Sequence, residues 1–264
     1  MSVRLRNEFK YLVPREKLAE IRAELAPYVY GDQHAQDREV REYTVRSIYF
    51  DSRNYEDYRA KVEGLKIRKK LRIRAYNEVS PESSAYLEIK RKRGGYIFKD
   101  RAPFAYQDIE ALFESRDIDR YIPLNGSPAA QDSARKFFFH LHRGILRPTV
   151  LVIYDREAFF SKFDPSLRLT FDKALRSVLT DKVTVFNREI GLRYAMPSHF
   201  IWEIKFPHSL PAWVQSIIRH HRLPRLALSK YTICLDSHKS NGRVQVSRFS
   251  PQILPLFFNK NGVK

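Results

Sequence analysis

Three short segments of the sequence repeat one arrangement, in which a glutamate and a lysine stand two residues apart with one apolar residue between them. The segments are Glu8-Phe9-Lys10, Glu88-Ile89-Lys90 and Glu203-Ile204-Lys205. Because successive side chains of a β-strand point to opposite faces, each segment would present its carboxylate and its ammonium on one face. If the strands belong to one closed barrel with apolar residues outward, these charges converge on its interior.

The densest run of cations lies in residues 66–76, where basic and apolar residues alternate. The cations are Arg68, Lys70, Arg72 and Arg74. One face of such a strand carries four positive charges, and the opposite apolar face requires burial. Arginine forks bind phosphate oxygens in pairs and lysines add mobile positive charge, so this face favours a triphosphate or a longer polyphosphate as ligand.

The carboxylates among these cations indicate a second ligand. A carboxylate repels phosphate, so a site for anions alone has no use for Glu8, Glu88 and Glu203. A hard divalent cation that bridges carboxylate and phosphate oxygens explains them, and Mg²⁺ or Mn²⁺ is the natural choice. A charged interior of this kind is stable when anions, metal ions and water neutralise it. The sequence therefore predicts a metal-dependent site for a phosphate-rich anion.

The segments that would carry these residues have the alternation of β-strands, with helical segments between them. We expect strands over residues 3–13, 43–50, 66–76, 85–92, 96–104, 149–159, 167–172, 183–188, 199–206 and 228–235. We expect helices after Pro14, from Asp51-Ser52 through Tyr58, over 107–115, over 129–143 and after Pro211. Gly94-Gly95 would form a hairpin turn. About eight to ten mostly antiparallel strands with a polar interior predict an α+β protein, a closed antiparallel β-barrel with peripheral helices.

The charge of the whole chain points to a polyanionic partner. The 264 residues contain 48 Lys and Arg against 30 Asp and Glu, a formal net charge of +18, and 43% of them are hydrophobic, enough to bury a core. Cys234 is the one cysteine, which excludes an intramolecular disulfide and a cysteine-rich zinc site. The first residues lack an apolar segment and no run reaches about 18 apolar residues, so we expect a cytoplasmic protein without a transmembrane segment.

Eight short motifs, in their order along the chain, resemble the VTC domain of the triphosphate tunnel metalloenzymes, a CYTH-like superfamily. VTC stands for vacuolar transporter chaperone. The motifs are Glu8-Phe-Lys10-Tyr, Ser47-Ile-Tyr-Phe-Asp51, Arg72-Ile-Arg74-Ala-Tyr76, Glu88-Ile-Lys90, Tyr154-Asp-Arg156, Arg168-Leu-Thr-Phe-Asp172, Glu203-Ile-Lys205 and Leu228-Ser-Lys230-Tyr. The adenylate cyclase and thiamine triphosphatase branch carries Glu-x-Glu-x-Lys in its first strand, and here Arg6 stands where its first Glu would be.

The resemblance implies an eight-stranded tunnel that binds the triphosphate of a nucleotide and makes inorganic polyphosphate from ATP with Mn²⁺ or Mg²⁺. It implies a set of catalytic cations that hold phosphates: Lys10, Arg72, Arg74, Lys90, Arg156, Lys205 and Lys230. Further substrate contacts would come from Tyr154, Ser229, Lys92 and Arg168. Glu203 would be the principal metal ligand, and Glu88 and Glu8 would be weaker ones.

The resemblance places residues 1–236 in one tunnel domain and leaves residues 237–264 as a tail that packs on the barrel or is partly disordered. Two other functions stay open. Hydrolysis of tripolyphosphate or a nucleoside triphosphate would use the same lining, with water as the acceptor. A polyphosphate- or nucleic-acid-binding module without catalysis would use the basic residues, but a groove that tracks phosphates has little use for embedded carboxylates such as Glu88. We therefore expect no nucleic-acid partner.

The histidines show no metal-binding motif. His140 and His142 would point apart on a helix, and His220 and His221 are adjacent, so we expect surface or packing roles for them. The sequence also lacks a G-x-x-x-x-G-K-[ST] loop, which excludes a P-loop nucleotide site.

Overall fold

The computed structural model describes residues 7–32, 41–94, 96–123 and 128–239, and these residues form ten strands and seven α-helices. The strands are β1 (Asn7–Pro14), β2 (Val29–Gly31), β3 (Tyr43–Asp51), β4 (Ile67–Tyr76), β5 (Ser84–Arg93), β6 (Tyr96–Ala105), β7 (Arg147–Ser161), β8 (Arg168–Leu179), β9 (Arg193–Tyr194) and β10 (His199–Phe206). The helices are α1 (Leu18–Leu25), α2 (Glu56–Val62), α3 (Ile109–Ser115), α4 (Ile118–Tyr121), α5 (Pro128–Arg143), α6 (Ala212–His220) and α7 (Lys230–Lys239). The predicted α+β class is confirmed.

Some expectations fall on residues that the structure does not describe. Residues 3–6 of the predicted first strand, Gly95 and the part of the predicted tail from residue 240 onward lie outside the described ranges. Helix α7 runs through Lys239 and so passes the predicted domain boundary at residue 236. Among the described residues, no helix is long and apolar enough to span a membrane.

The chain divides into two compact units. The first comprises the described residues within Met1–Thr44, Tyr154–Leu175 and Met196–Ser229, and the second comprises those within Val45–Ile153, Arg176–Ala195 and Lys230–Lys264. Strands β3, β7 and β8 therefore contribute residues to both units.

In the first unit, β10 pairs antiparallel with both β1 and β8, β7 follows β8, and β2 pairs with β7. One face of these strands is apolar, and its core includes Trp202 and Phe171. Helix α1 follows Pro14 as predicted and buries Ile21 and Leu25 in this core. Helix α6 packs on the same core, so both helices cover the apolar face and leave the charged face to the site.

In the second unit the strand order is β7-β3-β4-β5-β6, and β3 to β6 pair antiparallel. The alternation predicted for β4 holds, because Leu71 and Ile73 are buried in a core that Phe137 of α5 completes. Ile67, which the pattern also assigned to the buried face, is 70% exposed because it begins the strand. Gly94 has φ +59° in the β5–β6 hairpin, a conformation that glycine adopts without steric cost.

The predicted closure of the barrel is not found among the described pairings. The strand order ends at β1 in the first unit and at β6 in the second, and neither order closes on itself. The antiparallel sheet of the prediction is confirmed for the pairs described above, and its closure is not.

Residues 183–188, predicted as a strand, form turns instead. Side chains rather than a strand ladder hold their backbone. Arg46 Nη1 donates to the Phe186 carbonyl at 2.8 Å, and Tyr106 Oη donates to the Thr184 carbonyl at 2.8 Å. The side-chain amide of Asn187 accepts a hydrogen bond from the backbone N–H of Val79 and donates one to the Val79 carbonyl. The aromatic and β-branched residues that suggested a strand are present because the turn is packed on the core.

Residues 228–235, predicted as the last strand, belong largely to helix α7. The helix buries five consecutive residues, Tyr231 through Leu235, so it has no polar face at that point. A short apolar run that is buried on all sides has no amphipathic period, and a β-branched run of this kind is easily taken for a strand.

Candidate functional site

A row of three lysines crosses the second unit. Lys70 of β4 stands opposite Lys90 of β5, and Lys90 stands opposite Lys99 of β6. Like charges directly opposite one another destabilise a sheet. The row is therefore favourable when an anion lies across it.

The neighbouring row is organised by Glu88 of β5, whose side chain is 2% exposed. Arg72 Nη2 lies 2.6 Å from Glu88 Oε2, and Lys99 Nζ lies 2.9 Å from Oε1. Arg101 and Arg74 approach the same carboxylate at 3.4 and 3.7 Å. Burial alone would raise the pKa of Glu88, but the attraction of Arg72, Arg74 and Lys99 outweighs it and holds the pKa well below its usual range.

One carboxylate does not neutralise this face. On the described parts of β4, β5 and β6, Glu88 shares the face with eight cations: Arg68, Lys70, Arg72, Arg74, Lys90, Lys92, Lys99 and Arg101. The excess is visible at Lys99, since burial, with Arg72 and Arg74 nearby, lowers its pKa despite the attraction of Glu88. The face therefore favours a ligand that carries several negative charges.

Hydroxyl groups extend this face onto β3, and a lysine of α7 adds to its charge. Arg72 Nη1 donates to Tyr49 Oη at 2.8 Å, and Arg74 Nε donates to Ser47 Oγ at 3.3 Å. Burial favours the neutral form of Tyr49, yet Arg72, Arg74 and Lys230 together lower its pKa. Lys230 thus contributes charge to this group, and it does so from the start of α7 rather than from a strand.

The first unit carries a second charged group, in which acids and bases alternate across three strands. Lys10 of β1 faces Glu203 of β10, while Lys205 of β10 lies between Glu8 and Arg168. Lys10 Nζ lies 2.9 Å from Glu8 Oε1 and 3.3 Å from Glu203 Oε2, and Lys205 Nζ lies 2.5 Å from Glu203 Oε1. Burial disfavours the charge on Lys10, but Glu203 and Glu8 reverse the effect and raise its pKa.

The donor set around Glu203 fits a hard divalent cation. Its side chain is 7% exposed and offers two carboxylate oxygens, and Glu8 lies diagonally across the strand pair. Thr170 of β8 stands directly opposite Glu203, and its buried hydroxyl has no hydrogen-bond partner among the described residues. Oxygen donors of this kind suit Mg²⁺ or Mn²⁺ and the waters such ions retain.

Two arginines of the first unit are held by carboxylates. Arg156 donates from Nε and Nη2 to the two oxygens of Asp172, at 2.6 and 2.9 Å, and its guanidinium lies 5.2 Å from the centre of the Tyr154 ring. Arg168 Nη2 donates to Asp32 at 2.9 Å and to Tyr43 Oη at 3.2 Å. These contacts fix where each guanidinium points.

A sequence model of the VTC domain matches residues 5–239. The chain belongs to the VTC domain family. The resemblance inferred from the eight motifs is thereby confirmed.

Two solved structures are similar to this VTC domain at low sequence identity. The PH1819 protein from Pyrococcus horikoshii OT3 has 12% identity and a TM-score of 0.44, with 87% of this chain and 99% of that chain covered. HpAC1 from Hippeastrum, described as an adenylyl cyclase with a dominant triphosphatase activity, has 13% identity and a TM-score of 0.44, with 87% and 94% covered. A search of curated proteins found no match.

The predicted site residues of this VTC domain fall into the two charged groups by unit. The first unit holds Glu8, Lys10, Tyr154, Arg156, Arg168, Glu203, Lys205 and Ser229, and the second holds Arg72, Arg74, Glu88, Lys90, Lys92 and Lys230. Lys92 lies near the end of β5, between Arg68 and Ile97. Ser229 is buried just before α7. Their roles stay predictions.

Three residues of these groups were missed from sequence. Lys99 and Arg101 of β6 contact Glu88, and Thr170 faces Glu203. The signal for the first two was present, since Lys99 and Arg101 stand two residues apart in a segment predicted as a strand. Thr170 carried no signal of its own, because its importance comes from the pairing of β8 with β10.

Proposed function

We propose that this VTC domain is a metal-dependent phosphotransferase that makes inorganic polyphosphate from a nucleoside triphosphate such as ATP. The observation that carries the proposal is the lysine row of Lys70, Lys90 and Lys99 beside a carboxylate that neutralises only part of the surrounding charge. Like charges directly opposite one another destabilise a sheet, and a multiply charged anion across them offsets that repulsion. A triphosphate or a polyphosphate chain meets that need.

The cations of the second unit would hold phosphate groups, and Glu88 would keep their side chains in place. Phosphoryl transfer requires positioning and neutralisation of the charge on the transferred group, with little covalent chemistry from the protein. Arg72 and Arg74 would supply forked hydrogen-bond donors. Lys90 and Lys99 would add positive charge on flexible side chains that can adjust to the positions of the phosphate groups. No protein nucleophile is needed, because the acceptor is itself a phosphate.

Glu203 would be the principal metal ligand, with Glu8 as a second donor and Thr170 as a partner for a bound water. A divalent ion held there would supply Lewis-acid chemistry toward a phosphate oxygen. Lys10 lies near one oxygen of Glu203 and Lys205 near the other, and these contacts fix where the carboxylate points. A module that only binds polyanions would not need Glu203, and this favours catalysis.

The proposal is tested by incubating the purified protein with ATP and either Mn²⁺ or Mg²⁺ while long-chain polyphosphate and free phosphate are measured together. Polymerisation gives polyphosphate whose chain length grows with time. If free phosphate were the sole product, the protein would be a hydrolase that uses the same lining, and the polymerase assignment would be wrong. If the protein bound polyphosphate tightly but formed neither product, it would be a binding module without catalysis.

The Glu203→Gln variant tests the metal assignment. We expect turnover to fall by about 100-fold or more, since removing support from a metal site already costs 10–100-fold. A chelator should abolish the activity of the unchanged protein. Glu110→Gln, at an exposed position of α3, is the matched control and should keep full activity. Full turnover in excess chelator, or in folded Glu203→Gln protein, would refute the assignment.

A further inference from the structure

A group of four metal-binding side chains lies apart from the charged face of the first unit, where helices α1 and α6 meet. Glu20 and Glu24 come from α1, and His220 and His221 stand at the end of α6. One ligand atom from each of the four lies within 4.8 Å of the others. The geometry points to a second metal site in this chain, one for a zinc-class ion.

The carboxylate of Glu24 is the centre of the group. Its Oε1 lies 2.9 Å from His220 Nδ1 and 3.0 Å from His221 Nε2, so both imidazoles already converge on one oxygen. Glu20 Oε2 approaches His221 Nδ1 at 3.9 Å. The two imidazole rings lie 4.8 Å apart with a 35° tilt, which lets both present a nitrogen to the same point although the residues are adjacent.

The chemistry of the ligands selects the ion. Two imidazole nitrogens and two carboxylate oxygens match, in type and number, the four ligands that Zn²⁺ takes in tetrahedral sites, with bonds of about 2.0–2.2 Å. The two negative charges balance the charge of the ion. Mg²⁺ prefers oxygen ligands alone, so this group differs in kind from the oxygen donors around Glu203.

The two helices hold the ligands in place before a metal arrives. Ile21 and Leu25 of α1 and Val214 and Ile217 of α6 all pack in the core of the first unit. Glu20 and Glu24 are four residues apart and therefore share a helix face. His221 has a side chain that is only 3% exposed, whereas His220 and Glu20 are open to solvent and offer a path for entry.

Bound metal would tie α1 to α6 across the outer face of the sheet. The chain segments joined in this way are about 200 residues apart in sequence, as Glu24 and His220 show, and a ligand that binds only the folded state stabilises it. We expect a structural effect without direct participation in phosphoryl transfer. Lys17 Nζ donates to the His221 carbonyl at 3.2 Å, so this cation is directed to the backbone of the group rather than to the imidazole.

Titration of the full-length, metal-free protein with Zn²⁺ and with Co²⁺ tests the site. Calorimetry should give an equivalent of Zn²⁺ that survives in Glu203→Gln protein, and Co²⁺ should give the intense visible absorption of a tetrahedral site. His220→Ala and Glu24→Gln should each weaken this binding by about 10–100-fold or more and should remove the rise in thermal midpoint that Zn²⁺ causes. Mg²⁺ at the same concentration should do neither.

His142→Ala, an exposed histidine of α5, is the matched control and should bind Zn²⁺ as the unchanged protein does. Thermal midpoints measured without metal show that each variant is folded. Absence of Zn²⁺ binding to the unchanged protein, or equal binding by folded His220→Ala and Glu24→Gln, overturns the site.

Discussion

Glu88 shows how one buried carboxylate can order a cationic surface. Burying a charge is costly unless partners compensate for it, and here four cations do so. Each of these cations is in turn directed by the carboxylate instead of moving freely in solvent. Glu88 therefore holds the guanidinium and ammonium groups of this face in fixed positions.

The first prediction concerns this carboxylate. Glu88→Gln should lower the free energy of unfolding by about 3 kcal/mol at neutral pH, because it leaves several partly buried cations without their anion. Urea denaturation measures the loss, and added tripolyphosphate should restore part of it. Since the folded-state pKa of Glu88 is lowered, its stabilisation is present above the ordinary glutamate range and declines as the pH falls below about 4.3.

Asp119→Asn is the matched control, since it removes a carboxylate that pairs with Arg135 at 2.8 Å while 75% exposed. Exposed ion pairs contribute about 0–1 kcal/mol, so this variant should unfold almost as the unchanged protein does. If both variants lost the same free energy of unfolding, burial of Glu88 would not be the reason for its contribution to stability.

At the level of single residues, much of the charged face was predictable from sequence. The side-chain period of a strand is local, so Arg72 and Arg74 fall on one face once the strand is assigned. The residues with which these side chains pair were not predictable from the sequence. The pairing of Arg156 with Asp172 depends on which strands are neighbours and on their register, and neither is written in the local pattern.

Among the elements, α2 and α7 depend on a single side chain at the end of β3. Asp51 Oδ1 accepts the backbone N–H of Asp57 at 3.0 Å, and Oδ2 accepts that of Tyr58 at 2.9 Å, which satisfies donors at the start of α2. Tyr231 Oη of α7 donates to Oδ2 at 2.5 Å. The sequence predicted Asp51-Ser52 as the cap of a helix through Tyr58. The residue at the cap position is instead Tyr55, and α2 runs from Glu56 to Val62, so Asp51 reaches the first-turn N–H groups from the end of β3.

The second prediction follows from Asp57, in the first turn of α2. Burial raises its pKa to about 6, with Lys69 opposing the shift and Asp51 adding to it. A folded-state pKa above the unfolded value means that stability is fully present below about pH 3.9 and is lost as the pH rises through 6. Asp57→Asn should therefore gain about 3 kcal/mol relative to the unchanged protein between pH 4 and pH 7.

Urea midpoints of both proteins at several pH values in that interval measure this gain, because the difference between the two curves removes the contribution of every other titrating group. Glu56→Gln, at the neighbouring position, serves as the control and should follow the unchanged protein. If the urea midpoints of Asp57→Asn and of the unchanged protein changed in parallel with pH across the interval, the prediction would be contradicted.

Strands with one buried face were the elements that sequence located best. Residues 199–206 were predicted with the bounds that the structure has, because the alternation of Trp202, Glu203 and Ile204 has a single interpretation. Helix α7 and the turn at residues 183–188 lack such alternation. Their shapes are decided by contacts from distant residues, such as Tyr106 on Thr184, that no local window contains.

At the scale of the whole molecule, the net charge of +18 draws any polyanion, including nucleic acid. Two kinds of attraction must then be separated. Exposed lysines and arginines release counterions from a nucleic-acid backbone, so that binding weakens steeply as salt rises. The partly buried cations around Glu88 act over short distances and are screened less.

The third prediction uses that difference. At about 0.15 M salt, tripolyphosphate and longer polyphosphate should displace a labelled ATP analogue fully, whereas single-stranded DNA should compete poorly. Raising the salt should weaken DNA competition much more than competition by polyphosphate. Six measurements, with each of the three competitors at two salt concentrations, give both comparisons in one experiment. If DNA competed strongly, with an affinity that grew with its length and without any preference for polyphosphate, the cationic face would be a nucleic-acid surface, and the proposed phosphotransferase would lose its substrate site.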